Sequence, residues 1–332
     1  MSIQKPRFTI AIPVRNGAEF LEEALNSALT QSFDDYEIVI SDNASTDGTA
    51  EIIAAYKAKH PCIRSVRGEQ MISLSENWNR AYEYARGEWV KILAHDDILH
   101  RDCLKRIYEE TEKLPKSALD KIALVGTGEY WLFDGGARRE NTIGPTEETA
   151  LLLKAPEYLK DLISGTTRVG LPGATTATLH KTVIFIPGPY DKHFFRSDTM
   201  LYMQLAVEHD YLYLPDALCE NRIQKASAHN TAIKGRRAVD EEIAFCREFY
   251  PIVKNTLEMG FYASARFRMR PASQAASQVS RGILCGEMAP LWAALCATPA
   301  WQMPMVLPLT FRALMRDMRK LRQIGLPANI VL

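Results

Sequence analysis

Two adjacent carboxylates close an apolar run in the first third of the chain. Val90-Lys-Ile-Leu-Ala94 is followed directly by His95-Asp96-Asp97, and the run predicts a buried strand that ends in acidic side chains. Adjacent carboxylates repel, so each raises the pKa of the other unless a cation neutralises them. Hard divalent cations prefer carboxylate oxygens and keep positions for phosphate. The residues alone leave two interpretations open, a metal site or a cap for the following helix.

Two further polar loops follow predicted strands. The strand Phe8–Val14 is followed by Arg15, and the strand Glu37–Ser41 is followed by a polar loop that begins at Asp42. Strands that alternate with helices predict a parallel sheet with right-handed crossovers. Ligands of open α/β sheets bind at the carboxyl ends of the strands. Arg15, Asp42 and Asp96 are therefore expected along one edge of the sheet.

Short polar motifs indicate where the connecting helices begin. Asn16 is the predicted N-cap of the first helix, Asp47 is more typical of a cap than of a ligand-binding residue, and Ser73 forms a capping box with Glu76. The Gly/Thr-rich segment 165–178 is predicted to be a flexible wall of the site. Further strands are predicted at Ile122–Val125, Tyr130–Phe133, Tyr211–Leu214 and Leu218–Ile223, and further helices at Asp102–Leu114, Pro156–Ser164 and from Ser197.

Composition limits the classes of partner. The chain has 332 residues with 40 basic and 40 acidic side chains, so no net charge favours nucleic acid. Its six cysteines form no C-x-x-C pair, which is typical of buried thiols in a reducing compartment. The polar N-terminus does not resemble a signal peptide. We therefore expect a cytoplasmic protein.

Glycine-rich phosphate cradles are absent from the sequence. The segment after the first strand has one glycine, Gly17, where a dinucleotide-binding loop needs G-x-G-x-x-G. Gly165 and Gly170 have the spacing of a P-loop, but Leu171-Pro172 follows instead of Lys-Ser/Thr. Phosphates would then have to be held by a metal, which favours the metal interpretation of Asp96 and Asp97.

Three motifs in order resemble the family 2 glycosyltransferases. They are Thr9–Asn16, then Ser41–Thr49, then Asn77-x-Asn79 with Ala85-x-Gly87 and His95-Asp96-Asp97. The resemblance covers about residues 8–230. It implies a GT-A fold, which is a mixed, mainly parallel sheet flanked by helices, and transfer of a sugar from a nucleotide-diphospho-sugar with inversion, assisted by Mg²⁺ or Mn²⁺.

The resemblance also implies roles for individual residues. The nucleotide maps to Pro13, Arg15, Asp42 and Asn79, with a bias towards uridine or thymidine because a carboxylate such as Asp42 can accept the ring N–H. Asp42 has a simpler alternative as a turn residue. Asp97 maps to the metal ligand and Asp96 to a position near the ribose or a metal-bound water. His95 is more typical of a packing residue, although it could reach a phosphate or the metal.

An inverting transfer needs a base that takes the proton of the acceptor hydroxyl. The resemblance places Asp198 in that role at the start of a helix, with Asp191 as second choice. The alternative for Asp198 is a first-turn residue favoured by the helix dipole. Gln224 stands where relatives carry a histidine, so a third metal ligand is not predicted. Three other residues are candidates for binding phosphate instead: Arg222, Lys225 and His229.

The C-terminal third changes character near residue 234. We therefore predict a catalytic domain over residues 1–234 and a helical region over 235–332. Residues 288–311 carry no charge, contain four prolines and precede a basic segment. A helical bundle, a segment on an anionic membrane surface and a membrane span remain open. Surface contact would suit a lipid-linked acceptor, and a glycan acceptor is the other expectation.

Two other functions share these features. A sugar-nucleotide nucleotidyltransferase has a similar sheet, but it would need a Gly-rich, basic loop after the first strand, where only Arg15 and Gly17 are present. A non-catalytic protein that binds nucleotide sugars or glycans would keep the binding residues without turnover. The sequence does not name the sugar, the acceptor or the oligomeric state.

Overall fold

A computed structural model of the chain describes residues 5–133, 135–141, 144, 149–164, 166–181, 189, 197–223, 240–241, 243–247, 249–251 and 309. The chain divides into two compact units, Met1–Leu162 with Thr166–Ile223, and Ile163–Gly165 with Gln224–Leu332. The domain boundary near residue 234 stays a prediction. Among the described residues no helix combines the length and the apolar character needed to cross a bilayer. The uncharged run 288–311 lies outside them, apart from residue 309.

Four parallel strands form the first half of the sheet. Their order is β3-β2-β1-β4, and β1 is buried along its whole length because helices cover both faces. The strands are β1 Phe8–Val14, β2 Tyr36–Asp42, β3 Ile63–Arg67 and β4 Trp89–Ile92. The helices are α1 Leu21–Leu29, α2 Thr49–Lys59, α3 Leu74–Tyr84, α4 Cys103–Glu112, α5 Lys116–Leu119, α6 Glu157–Ser164 and α7 Ser197–Glu208.

The second half of the sheet is mixed. Its strands are β5 Ile98–Leu99, β6 Ile122–Phe133, β7 Arg138–Asn141, β8 Leu151–Leu153, β9 Ala177–His180 and β10 Asp210–Ile223. β9 runs antiparallel to both β4 and β6, whereas β10 runs parallel to β6 and antiparallel to β5. The predicted mixed α/β sheet flanked by helices is therefore confirmed, with its longest parallel run in β1–β4.

In two places, two strands that were predicted separately belong to one long strand. Ile122–Val125 and Tyr130–Phe133 belong to β6, and Tyr211–Leu214 and Leu218–Ile223 belong to β10, which shifts register on both sides of Ala217. Two glycines lie inside β6. A Cβ on Gly126 would lie 2.3 Å from the hydroxyl of Tyr211. The glycine therefore permits close packing and does not end the strand.

The end of the Gly/Thr-rich segment is buried in the sheet, whereas the predicted flexible wall of the site stays a prediction. Thr175 and Thr176 are 2% and 1% exposed. The segment leads into β9, a strand that the sequence analysis missed, and β9 joins the parallel half of the sheet to the mixed half. β9 lies between β4 and β6 and runs antiparallel to β4. The segment before β9 therefore lies beside the loop after β4.

Candidate active site

The loops after β1 and β2 are tied together at the carboxyl edge of the sheet. Asn16 has a φ of +49°, and its side chain accepts a hydrogen bond of 2.9 Å from the backbone N–H of Thr46. Asn16 is therefore not the cap of α1, which begins at Leu21. Three backbone N–H groups of the first loop donate to the second: Asn16 to Ser45 Oγ, Gly17 to Thr49 Oγ1 and Ala18 to Asp47 Oδ2.

Asp47 has a structural role, although the N-cap of α2 is Gly48 and not Asp47. Its Oδ1 accepts the backbone N–H of Thr49, the first residue of α2, at 3.1 Å, and it also accepts the hydroxyl of Thr49. Both carboxylate oxygens of Asp47 are thus engaged, since Oδ2 accepts from Ala18. The residue fixes the start of α2 and the path of the first loop.

Asp42 combines a turn role with an open acceptor. It is 1% exposed, and its Oδ1 accepts the backbone N–H of Ser45 at 3.0 Å, as an Asx turn requires. Its Oδ2 has no hydrogen bond and lies 3.3 Å from a guanidinium nitrogen of Arg67. A buried carboxylate oxygen without a hydrogen-bond donor is rare in a folded protein. The turn role considered for Asp42 is therefore present at Oδ1, and its contact with a nucleotide stays a prediction.

Three residues that the sequence analysis did not assign to the site surround Asp42. Arg67 ends β3 and donates 2.8 Å to the carbonyl of Ser45. Asn77 on α3 donates to the carbonyls of Ser41 and Val14, which joins the ends of β2 and β1. One turn later, Arg80 donates to the carbonyl of Asp42 at 2.9 Å. The position of Arg67 at the end of the neighbouring strand was the available signal in the sequence.

The other residues predicted to bind the donor lie on the same elements. Pro13 pairs in register with Ser41 between β1 and β2. Arg15 is exposed, and its Nη1 donates 3.1 Å to the carbonyl of Asn43. Asn79 is half-buried on α3. The structure thus brings Pro13, Arg15 and Asp42 to one edge, while the role of Asn79 stays a prediction.

The start of α7 comes to this edge through α3. Ser75 lies on α3, two residues before Asn77, and its hydroxyl donates a hydrogen bond of 2.9 Å to the hydroxyl of Ser197. Asp198 follows Ser197 in the first turn of α7, and its Oδ1 accepts the backbone N–H of Thr199 at 2.8 Å. The first-turn role considered for Asp198 is therefore present. Asp191 lies outside the described residues.

Asp96 and Asp97 do not cap the following helix. β4 ends at Ile92, the strand β5 follows at Ile98, and α4 begins only at Cys103. The cap interpretation is wrong because β5 separates the aspartates from the helix. Asp96 is half-buried and Asp97 is 4% exposed.

Asp97 lies in a position that disfavours its negative charge. Burial raises its pKa to about 8, and the charges of Asp96 and Glu129 act in the same direction. Two hydrogen bonds oppose the rise, one from the Thr175 hydroxyl to Oδ2 and one of 2.8 Å from the Arg222 backbone N–H to Oδ1. A bound cation would lower the pKa of this carboxyl again.

The side chain of Arg222 lies against the loop that carries Asp96 and Asp97. Its Nε donates 2.9 Å to the carbonyl of Asp96, its Nη2 is paired with Glu23, and its guanidinium carbon lies 4.6 Å from the ring centroid of Phe20. The side chain therefore has partners within the protein already. Gln224, Lys225 and His229 lie outside the described residues.

His95 packs against the first loop. A Cβ on Gly17 would lie 2.4 Å from the His95 ring, so only glycine fits there with the ring in this place. Burial lowers the pKa of His95, while the charges of Asp96 and Asp47 oppose that change. The packing role predicted for His95 is present.

The described residues contain no group of three or more His, Cys, Asp or Glu side chains that could hold a metal. They do contain the adjacent carboxylates of Asp96 and Asp97. Magnesium is commonly bound by one or two carboxylates together with substrate phosphates and water. The pair therefore fits a cation that arrives with a phosphorylated ligand, and it does not form a complete protein cage.

Comparison with known proteins assigns this part of the chain to a family. Residues 9–156 match the family model of Glycosyl transferase family 2. A segment of 109 residues is 32% identical to the putative teichuronic acid biosynthesis glycosyltransferase TuaG of Bacillus subtilis. That match covers 33% of this chain and 43% of TuaG, so the chain spans less than half the length of this relative.

Two solved structures share the fold. Residues 1–349 of TarS from S. aureus, in complex with UDP-GlcNAc, match with a TM-score of 0.60 and 15% identity over 96% of this chain and 92% of that one. The mannosyltransferase PcManGT from Pyrobaculum calidifontis, in complex with GDP-Man and Mn²⁺, matches with a TM-score of 0.53 and 18% identity over 95% and 88%. The chain has the GT-A fold predicted from the sequence.

Proposed function

We propose that this chain, whose residues 9–156 form a family 2 glycosyl transferase domain, is an inverting glycosyltransferase. It would transfer a sugar from a nucleotide-diphospho-sugar to a hydroxyl of a glycan or lipid-linked acceptor. The observation that carries this proposal is the edge where the ends of β1, β2 and β4 bring Arg15, Asp42 and Asp96–Asp97 together. The proposal is supported by two proteins of the same fold whose structures contain a nucleotide sugar, TarS with UDP-GlcNAc and PcManGT with GDP-Man.

Asp42 is the proposed contact to the nucleotide base. Uracil and thymine present a ring N–H between two carbonyl oxygens, so they need one acceptor flanked by donors. The buried Oδ2 of Asp42 lacks a hydrogen bond, and the Arg67 guanidinium lies 3.3 Å away. Guanine presents two N–H donors and one carbonyl on the corresponding edge. Asp42 Oδ2 and the Arg67 guanidinium match that pattern less well, because they offer one acceptor beside one cation. The arrangement therefore favours a UDP- or dTDP-sugar.

Asp96 and Asp97 are the proposed residues for Mn²⁺ or Mg²⁺. The raised pKa of Asp97 and the charge of its neighbour make this loop a place where a cation is favourable. A divalent cation would supply Lewis-acid stabilisation of the diphosphate leaving group. Through this cation the two carboxylates would bind the donor diphosphate while Asp42 contacts the base of the same donor.

Asp198 is the proposed general base, which accepts the proton of the acceptor hydroxyl as that oxygen attacks the anomeric carbon. One carboxylate oxygen of Asp198 accepts a hydrogen bond from the backbone N–H of Thr199, which fixes the side chain. The link between Ser75 and Ser197 supports a location at the donor edge. Asp191 remains the second choice. Peripheral contact with the inner face of the membrane is part of the same proposal for a lipid-linked acceptor.

A screen of nucleotide sugars tests this function. Purified full-length protein is heated with UDP-, dTDP- and GDP-sugars, each with and without Mn²⁺, and the melting temperature is recorded. We expect the largest increase with a UDP- or dTDP-sugar plus Mn²⁺, and release of the nucleoside diphosphate when a hydroxyl acceptor is added. Release of pyrophosphate from a nucleoside triphosphate and a sugar phosphate, without sugar transfer, would contradict it. Binding without any turnover would do so as well.

A further inference from the structure

The hydroxyl of Thr175 is a junction between β9 and the aspartate loop. It donates to Asp97 Oδ2 and accepts the backbone N–H of Ala94 at 3.3 Å. Thr175 is 2% exposed, so water does not compete for these bonds. One hydroxyl therefore contacts the loop on both sides of Asp96.

Thr175 is in turn held by a buried lysine. Lys91 lies in the middle of β4, in register with Ile10 and Thr178, and is 0% exposed. Its Nζ donates to the backbone carbonyl of Thr175. An ammonium group removed from water costs several kcal/mol unless partners compensate. A lysine at this apolar position is therefore unfavourable for packing alone.

The surroundings of Lys91 are acidic. Its charge acts to lower the pKa of Glu129, which burial raises, and the charge of Glu129 acts on Asp97. Glu129 is 8% exposed and its Oε1 accepts from Trp131 and Asn141. Lys91, Glu129 and Asp97 are thus three buried ionisable side chains that interact electrostatically, and Thr175 contacts Lys91 and Asp97 directly.

We propose that Thr175 is a positioning residue that orients the Asp96–Asp97 pair for the donor diphosphate and its cation, and that Lys91 holds Thr175 in place. The inference rests on the proposed function. In this role both residues act through Asp97 and not through contact with the donor. Partners that orient metal-binding carboxylates commonly change metal affinity by 10–100-fold when they are lost.

The test compares variants that differ by one hydroxyl. Thr175→Val keeps the shape of the side chain and removes the hydroxyl, and Thr175→Ser restores it. Thr176→Val is the matched control, because the Thr176 hydroxyl is equally buried but donates to the carbonyl of Gly173 at 3.0 Å. The affinity for UDP is measured by calorimetry on the full chain, with and without Mn²⁺, and circular dichroism checks the fold. Should Thr175→Val not fold, Thr175→Ala replaces it with the same expectation.

We expect Mn²⁺ to strengthen UDP binding by wild type, Thr176→Val and Thr175→Ser. In Thr175→Val this gain should fall by about tenfold or more, while the affinity without metal stays unchanged. Lys91→Met should reduce the gain in the same direction. A Thr175→Val protein with the wild-type gain overturns the inference and leaves the proposed function intact. A wild-type protein that gains no affinity from Mn²⁺ overturns both this inference and the metal-assisted part of the proposed function.

Discussion

The backbone N–H of Arg222 donates a 2.8 Å hydrogen bond to Asp97 Oδ1 across 125 residues of sequence. The end of β10 therefore closes directly on the loop after β4. The Arg222 side chain adds a second link to the carbonyl of Asp96. Because the backbone supplies the bond to Asp97, substitutions at position 222 other than proline would leave its donor in place.

The base contact is tested by removing the acceptor from the protein and the donor from the ligand. Asp42→Asn should weaken UDP binding by about tenfold or more, because a hydrogen bond to a charged group contributes about 1.5–3 kcal/mol. UDP methylated at ring N3 should bind wild type as weakly as UDP binds the variant. The variant should lose little further affinity for the methylated ligand. Additive losses in the calorimetric titrations would show that Asp42 does not accept from the ring.

The role of Asp198 is tested by separating binding from transfer. Asp198→Asn should leave UDP affinity within about twofold and lower the transfer rate by about 100- to 10,000-fold, because general base catalysis contributes that range. Steady-state kinetics should show the loss in kcat with little change in the donor KM. Transfer at the wild-type rate would rule out the base role, and a loss of UDP affinity of the same size would indicate a structural role.

Gly17 is a sequence position where a side chain should disturb the site. A Cβ there would lie 2.4 Å from the ring of His95 and 2.7 Å from Val14. Gly17→Ala should therefore lower the melting temperature and weaken UDP binding. Gly48→Ala is the matched control, since its Cβ would meet only Ala18 at 3.7 Å. Equal melting temperatures and affinities for the two variants would contradict this account of the first loop.

A buried carboxylate outside the site predicts the pH dependence of stability. Burial acts to raise the pKa of Glu37, but hydrogen bonds from Arg86, Thr9 and Arg64 outweigh it and hold the pKa below its usual range. The folded protein thus binds the proton less readily than the unfolded chain. The stabilisation is present above the unfolded pKa of about 4.3 and is lost as the pH falls through the folded pKa.

Glu37→Gln should therefore destabilise the protein by about 2 kcal/mol at pH 7 and by less near pH 3. Urea denaturation at a series of pH values measures the difference. Glu69→Gln, at an exposed position, is the control and should follow wild type at every pH. A Glu37→Gln effect that stays constant from pH 7 to pH 3 would contradict the ionised state of Glu37.

Local patterns predicted the parallel half of the sheet well. β1 has the predicted bounds because all its residues are buried and the run ends at a charged residue on each side, Arg7 and Arg15. The capping box of Ser73 and Glu76 is present with both hydrogen bonds. The predicted strands Ile122–Val125 and Tyr130–Phe133 leave out the middle of β6, where Gly126 packs closely against Tyr211.

The candidate site was predictable as single loops but not as a network. Asp42 ends β2, and Asp97 lies in the loop that follows β4, so the sequence pattern predicted both at one edge of the sheet. The partners of Asp97 are Thr175 and Arg222, separated from it by 78 and 125 residues, and no local pattern encodes such contacts. Lys91 was hidden within an apolar run, where only the tertiary structure shows its buried acidic neighbours.

The most direct test of the central proposal is sugar transfer by Asp97→Asn. The pKa of Asp97 is raised to about 8, so asparagine resembles the neutral acid that predominates at neutral pH without a cation, and the variant should fold. Nucleoside diphosphate release is measured with the donor that gives wild type the largest thermal shift, beside Asp120→Asn, an exposed carboxylate paired with Lys116. We predict activity in wild type and Asp120→Asn, and none in Asp97→Asn at an unchanged melting temperature. Wild-type rates of transfer by folded Asp97→Asn would contradict the proposal.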